Sequence, residues 1–230
     1  IIMIPKFDHP SYNLTLPSGD KIKYRPFTTK EMKNVLLVSE GGGGDVGAVK
    51  AMVELVDVCT FGKLDWMKRP FVDFEVAFVH IRARSVGDVV EMGWRCNCAG
   101  CETRNRVSAD ITKTTWEPFP DTTVKLSDDY AIVFEHPTVQ DVLDTMDGEL
   151  DSSHMLARKT RMIVSGDEVS TEFTEDELSD FYDSLPPKQK NIIDEFFQKQ
   201  PVAKLVVPTK CSGCGNESEI VLKGALNFFR

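Results

Sequence analysis

Cys98-Ala99-Gly100-Cys101-Glu102-Thr103-Arg104-Asn105-Arg106-Val107 and Cys211-Ser212-Gly213-Cys214-Gly215-Asn216-Glu217-Ser218-Glu219-Ile220 are two versions of one device. Each sets two small residues between two cysteines, and each lies between a strand that enters and a strand that leaves. The entering strands read as Val89 to Arg95 and Ala203 to Pro208, the leaving ones as Arg106 to Ile111 and Ser218 to Leu222. Two thiolates on a tight turn reach one metal, and small residues let backbone amides approach the sulfurs. Two such knuckles supply the four thiolates of a closed tetrahedral zinc site. Cys98, Cys101, Cys211 and Cys214 are therefore the expected ligands of one structural Zn2+. About 110 residues separate the pairs, far more than a compact ribbon's usual gap, so the expectation is a split zinc ribbon. The metal then ties the middle of the chain to its C-terminal part, in place of hydrophobic core. Cys96 falls outside the shared spacing and is expected to face away from the metal. Cys59 is in phase with an apolar helical stripe and reads as a buried small hydrophobe. Neither pair leads directly into a helix N-terminus, which argues against a redox dithiol.

Outward from the knuckles, the sequence alternates helices with short strands. Tyr12 to Leu16 and Lys21 to Arg25 alternate around the turn Pro17-Ser18-Gly19-Asp20 and read as a hairpin. Thr28 with Glu31, and Thr174 with Glu177, are capping boxes that open helices. Val46 to Cys59 and Phe71 to Ser85 carry apolar stripes at helical spacing. Gly41 to Gly44 lacks the Lys-Ser/Thr of a phosphate loop and reads as a helix–helix connector. Further on come strands Thr123 to Leu126 and Tyr130 to Glu135, a helix from Pro137-Thr138, and a helical stretch Glu149 to Ser165. A final helix buries Ile192, Ile193, Phe196 and Phe197 and closes at Pro201. The fold class is α+β: a helical body around a small β element. Four segments follow: 1–95 (hairpin and helices), 96–111 (first knuckle), 112–202 (a mixed β/helical insertion) and 203–230 (second knuckle and tail).

With 230 residues, 41% of them hydrophobic, the chain can bury a core and is not a disordered polymer. No run approaches the ~20 apolar residues of a membrane helix, and the start, Ile1 to Lys6, does not read as a signal peptide. The net charge of −9 has the wrong sign for a surface that wraps nucleic acid. His9, His80, His136 and His154 are scattered, and no nucleophile stands beside a base, so no enzyme is expected. Arg82 and Arg84 with Ser85 could grip an anion, with salt bridging as the alternative. Shape and contact surfaces are left to carry function. Tyr12, Tyr24 and Phe27 in the hairpin, with Leu226, Phe228 and Phe229 in the tail, are the aromatic and apolar candidates. The competing reading is a zinc-ribbon nucleic-acid or transcription-associated module, with Arg104 and Arg106 on phosphate. The acidic balance opposes it, and no sequence-specific nucleic-acid binding is expected.

The chain resembles the baseplate-hub protein family of T-even-type contractile-tailed bacteriophages. The resemblance is carried by Tyr12-Asn13-Leu14-Thr15-Leu16-Pro17-Ser18-Gly19 with Ile22-Lys23-Tyr24-Arg25-Pro26-Phe27, by Cys59-Thr60-Phe61-Gly62-Lys63-Leu64-Asp65, and by Ile81-Arg82-Ala83-Arg84-Ser85-Val86-Gly87. Both cysteine pairs and the closing Leu226-Asn227-Phe228-Phe229 complete it, while the Gly41–Gly44 insertion and Cys96 depart from it. It implies a viral structural protein without enzymatic activity, a hub component or hub-assembly factor whose partners are baseplate-hub proteins. Its expected locations are the tail baseplate of the virion and the host cytoplasm during assembly.

Overall fold

The computed structural model describes residues 8–41, 44–149 and 151–229. The chain's start and Gly42 and Gly43 of the glycine run, both read above, lie outside the described residues. The chain divides into two units: Ile1–Trp66, Val72–Trp116 and Val202–Arg230 form one, and Met67–Phe71 with Glu117–Pro201 form the other. Helices and small antiparallel sheets are mixed in it, which is α+β.

The first unit opens with β1 (Tyr12–Thr15) and β2 (Lys21–Tyr24), paired Tyr12 to Tyr24 through Thr15 to Lys21. Gly19 supplies the positive φ of 94° that the connecting turn needs. Strand alternation buries Ile22 and Tyr24 and leaves Lys21 and Lys23 in solvent. Helix α1 (Thr29–Glu40) starts on the expected box: the Glu31 N–H donates to Thr28 Oγ1, and the Thr28 N–H donates to Glu31 Oε2 at 2.7 Å. The connector after α1 leads to α2 (Gly44–Cys59), which packs against α1 and buries Val49, Met52, Val53, Val56 and Cys59 as its stripe requires. Helix α3 (Phe71–Val86) is apolar on nearly every side, the mark of a helix enclosed by its own unit. Ser85 is tied down by structure: its Oγ donates to the Ile81 carbonyl and accepts the Phe27 N–H.

Two hairpins of equal length follow from distant parts of the chain. Strands β3 (Val89–Arg95) and β4 (Arg104–Asp110) pair in seven registers, Val89 with Asp110 through Arg95 with Arg104. The second unit interrupts the chain between these hairpins and contains β5 (Thr123–Lys125), β6 (Tyr130–Phe134), α4 (Val139–Asp147), α5 (Ser152–Lys159), β7 (Thr160–Ser165), β8 (Glu168–Ser170), α6 (Glu175–Ser184) and α7 (Pro187–Gln198). Back in the first unit, β9 (Lys204–Lys210) and β10 (Glu217–Lys223) pair in seven registers, Lys204 with Lys223 through Lys210 with Glu217. Thr115, just past β4, exchanges backbone bonds of 2.8 Å with Lys204 and so links one hairpin to the base of the other. That base is clamped by Glu75, buried in α3, whose carboxylate accepts the N–H groups of Ala203 and Ala225. Desolvation pushes the Glu75 carboxyl up to about 7, against those two donors, which favour the ionised form. The closing helix α8 (Ala225–Phe229) buries Phe228 to 2% exposure, so this aromatic belongs to the core rather than to a free contact surface. Tyr24 is likewise core, its ring tilted by 33° against that of Tyr12 at 5.6 Å between centroids.

In the second unit the four strands form one antiparallel sheet in the order β5-β6-β7-β8. Its core is built on Val124, Ile132, Phe134, Leu156, Tyr182 and Phe196. The Thr174 box opens α6 as expected, and Thr138 with Asp141 forms a second box on α4. One expectation needs correction: Glu149 to Ser165 is not one helix. It turns extended at Thr160, and Thr160-Arg161-Met162-Ile163-Val164-Ser165 is a strand that fills the middle of the sheet. Two adjacent β-branched residues and a waiting edge on β6 outweigh the helical reading. The β structure is accordingly larger than one small element: three two-stranded sheets and this four-stranded one among the described residues.

Candidate metal centre

Cys96 and Cys211 occupy the same place in their hairpins. Each is the first residue after the entering strand, Arg95-Cys96 and Lys210-Cys211. Each donates its N–H across the loop, Cys96 to the Thr103 carbonyl at 3.0 Å and Cys211 to the Asn216 carbonyl at 2.9 Å. Both are buried, at 4% and 2% exposure. The far arms carry Cys101, half-buried, and Cys214, exposed. On the second knuckle the turn closes through Gly215, whose φ of 73° only glycine adopts without strain and whose N–H donates to the Cys211 carbonyl at 2.9 Å.

The sulfurs converge. Cys96 Sγ lies 3.7 Å from Cys214 Sγ, Cys101 Sγ lies 3.7 Å from Cys211 Sγ, and all four are within 4.8 Å of one another. Four sulfurs ~2.3 Å from a central zinc form a tetrahedron with edges of ~3.8 Å, so the donor set and its spacing fit that ion. The contacts cross between hairpins, each sulfur meeting one from the other knuckle. Of the expected residues, the structure brings together Cys101, Cys211 and Cys214. It does not include Cys98: the fourth sulfur is that of Cys96, which was expected to face away. Cys98 sits midway along the longer first loop, where its carbonyl accepts the Cys101 N–H at 3.0 Å.

Asn105, buried on β4, joins the two knuckles and was not singled out from the sequence. Its Nδ2 donates to Cys211 Sγ at 3.6 Å, and its Oδ1 accepts both the N–H and the hydroxyl of Ser212 at 2.8 Å. Partners of this kind orient metal ligands and tune their basicity. Gly213 completes the fit, because a Cβ there would stand 2.1 Å from Thr103 Oγ1. Electrostatics divide the thiols. The Cys214 N–H, working against desolvation and helped by Gly213, Asn105 and Cys101, lowers Cys211 to about 6. The Asn216 N–H favours the Cys214 thiolate, yet Cys101, desolvation, Cys211 and Cys96 together push Cys214 up to about 11. As four thiolates the sulfurs would repel one another at this distance, a repulsion that a bound cation offsets.

The remaining candidates do not converge. Cys59 is fully buried, and desolvation pushes its thiol up to about 12, as suits a core residue. His136 lies against Phe119 and bonds Gln200, His154 pairs with Asp151 at the start of α5, and His80 sits within α3. Arg84 reaches Asp88 at 3.8 Å and lies over the Tyr12 ring, so Arg82, Arg84 and Ser85 do not form one anion grip. Arg104 and Arg106 are exposed on β4, beside Trp94 and Arg95, and Arg95 is paired with Glu102. No helix among the described residues is long and apolar enough to cross a membrane.

Among known proteins, a family model described as T4 bacteriophage base plate protein matches residues 9–230, nearly the whole chain. No curated protein and no solved structure matches it significantly.

Proposed function

The chain belongs to the T4 bacteriophage base plate protein family, and on that premise we propose that it serves the baseplate hub, as a hub component or a hub-assembly factor, through protein–protein contacts organised around a structural zinc site. Baseplate proteins are structural parts of the phage tail, and theirs is not an enzyme family. The observation that carries the reading is the extent of the match, residues 9–230, which takes in the N-terminal hairpin, both cysteine hairpins and the whole second unit. Zinc is supported by the soft, all-thiolate donor set and the 3.7 Å sulfur contacts. We assign the ligands as Cys96, Cys101, Cys211 and Cys214, so Cys96 replaces Cys98 of the sequence reading. Bound there, the ion supplies cross-linking and no reaction.

Mass spectrometry of purified particles beside infected-cell lysate tests the role. Presence in both is expected of a hub component, and presence in lysate alone of an assembly factor acting in the host cytoplasm. Failure to co-purify with any hub subunit from either source contradicts both. The zinc-ribbon nucleic-acid reading keeps one supporting observation, the exposed face that Arg95, Arg104 and Arg106 share at the end of the first cysteine hairpin. Retention on DNA or RNA that survives physiological salt would favour it.

A further inference from the structure

Arg82 stands apart from every other cation described above. It lines a partly open cavity of ≈ 230 Å³ between the end of that helix, strand β3, Leu222 of β10 and Phe228 of α8. Its Nη1 is buried and makes no hydrogen bond, and no ion pair of Arg82 occurs among the described residues. Glu91 lines the same cavity without pairing with it. A guanidinium carries five donors and cannot shed its charge, and in this half-buried group one nitrogen is cut off from water with no acceptor in reach, which costs stability. Around the mouth of this cavity Val86 and Val89 expose 63% and 60% of their surface, the apolar rim of a charged well.

We propose that the Arg82 cavity is the anchor pocket for an acidic side chain, an aspartate or glutamate set among apolar residues, on another structural protein of the phage tail. The shape of the donor selects the ligand, since the planar fork of Arg82 matches a carboxylate in two parallel hydrogen bonds and Glu91, in the same lining, leaves that fork unpaired. Size selects the source. Drug-sized ligands occupy roughly 300–1,000 Å³, and this cavity holds little more than one side chain. The exposed valines then cover the pair and exclude water around it, the arrangement in which an interfacial arginine contributes most. The proposal rests on family membership alone and is independent of the zinc and hub assignments.

Arg82→Met tests it in phage particles and in purified protein. The variant removes an unpaired charge from a half-buried site, so the purified protein should keep its zinc content and melt no lower than the wild type. Tail assembly should nonetheless fall at least about tenfold, the effect of losing a charged interface anchor. Arg82→Lys, a point charge without the fork, should restore part of it. Second-site revertants of Arg82→Glu should carry an acid-to-base change in another tail protein. Normal assembly by Arg82→Met would overturn the proposal. So would a clearly lowered melting temperature, which would make Arg82 a structural residue. Stabilisation of the wild type but not of Arg82→Met by millimolar phosphate would also overturn it, in favour of a free anion.

Discussion

Cys96 and Cys98 are two residues apart, and only one of their sulfurs joins the cluster. The distinction was illegible from spacing, because Cys98–Cys101 repeats Cys211–Cys214 and Cys96 does not. It becomes legible once each knuckle is measured from the end of its strand: Cys96 follows β3 as Cys211 follows β9, and the first loop is two residues longer. Cys96→Ser should therefore abolish stoichiometric zinc while Cys98→Ser retains it, as elemental analysis of the two variants will read. The opposite result would return the site to the repeated spacing. Asn105 left no trace in the sequence, since a lone asparagine on a strand signals nothing until the second knuckle is folded over it. Asn105→Ala strips Cys211 of a donor and orphans the Ser212 N–H. Zinc affinity should drop roughly 10–100-fold, measured by chelator competition. Cys59→Ser should keep the metal and cost about 1 kcal/mol or more through a buried hydroxyl.

Elements were read well where a local rule decides them. The Thr28 and Thr174 boxes mark helix starts because the bonds that make them close within four residues. The stretch 149–165 failed because its last six residues answer to β6, a partner about thirty residues upstream. The Thr28 box also carries a pH signature. Arg25, with Thr28 assisting and desolvation opposing, holds the Glu31 carboxyl down at about 2 against an ordinary 4.5. A depressed carboxylate pKa stabilises the fold above its unfolded value and loses that contribution as pH falls through the folded one. The stability gap between wild type and Glu31→Gln should thus be full near neutrality and shrink between about 4.5 and about 2. Denaturant midpoints at several pH values will show it, and a gap independent of pH would contradict the ion pair's role. Thr28→Ala, which removes the cap acceptor, should cost about 1 kcal/mol.

For the molecule entire, the α+β class and the baseplate resemblance were both legible, because they rest on patterns spread along the chain and the family match covers 9–230. The division into two units was less so: the second unit claims Met67–Phe71 from far upstream, which no local composition announces. Both cysteine hairpins lie within the first unit. Chelation should accordingly strip hydrogen-exchange protection from β3, β4, β9 and β10 while the amides of β6 and β7 keep theirs. Uniform loss across both units would contradict a local staple. The central claim, that zinc held by Cys96, Cys101, Cys211 and Cys214 fastens the middle of this baseplate protein to its C-terminal hairpin, has one direct test: zinc content and zinc-edge X-ray absorption of protein purified without added metal. One equivalent per chain with four sulfur neighbours at ~2.3 Å is the expected result. Less than about half an equivalent, or full retention after Cys211→Ser, would contradict it.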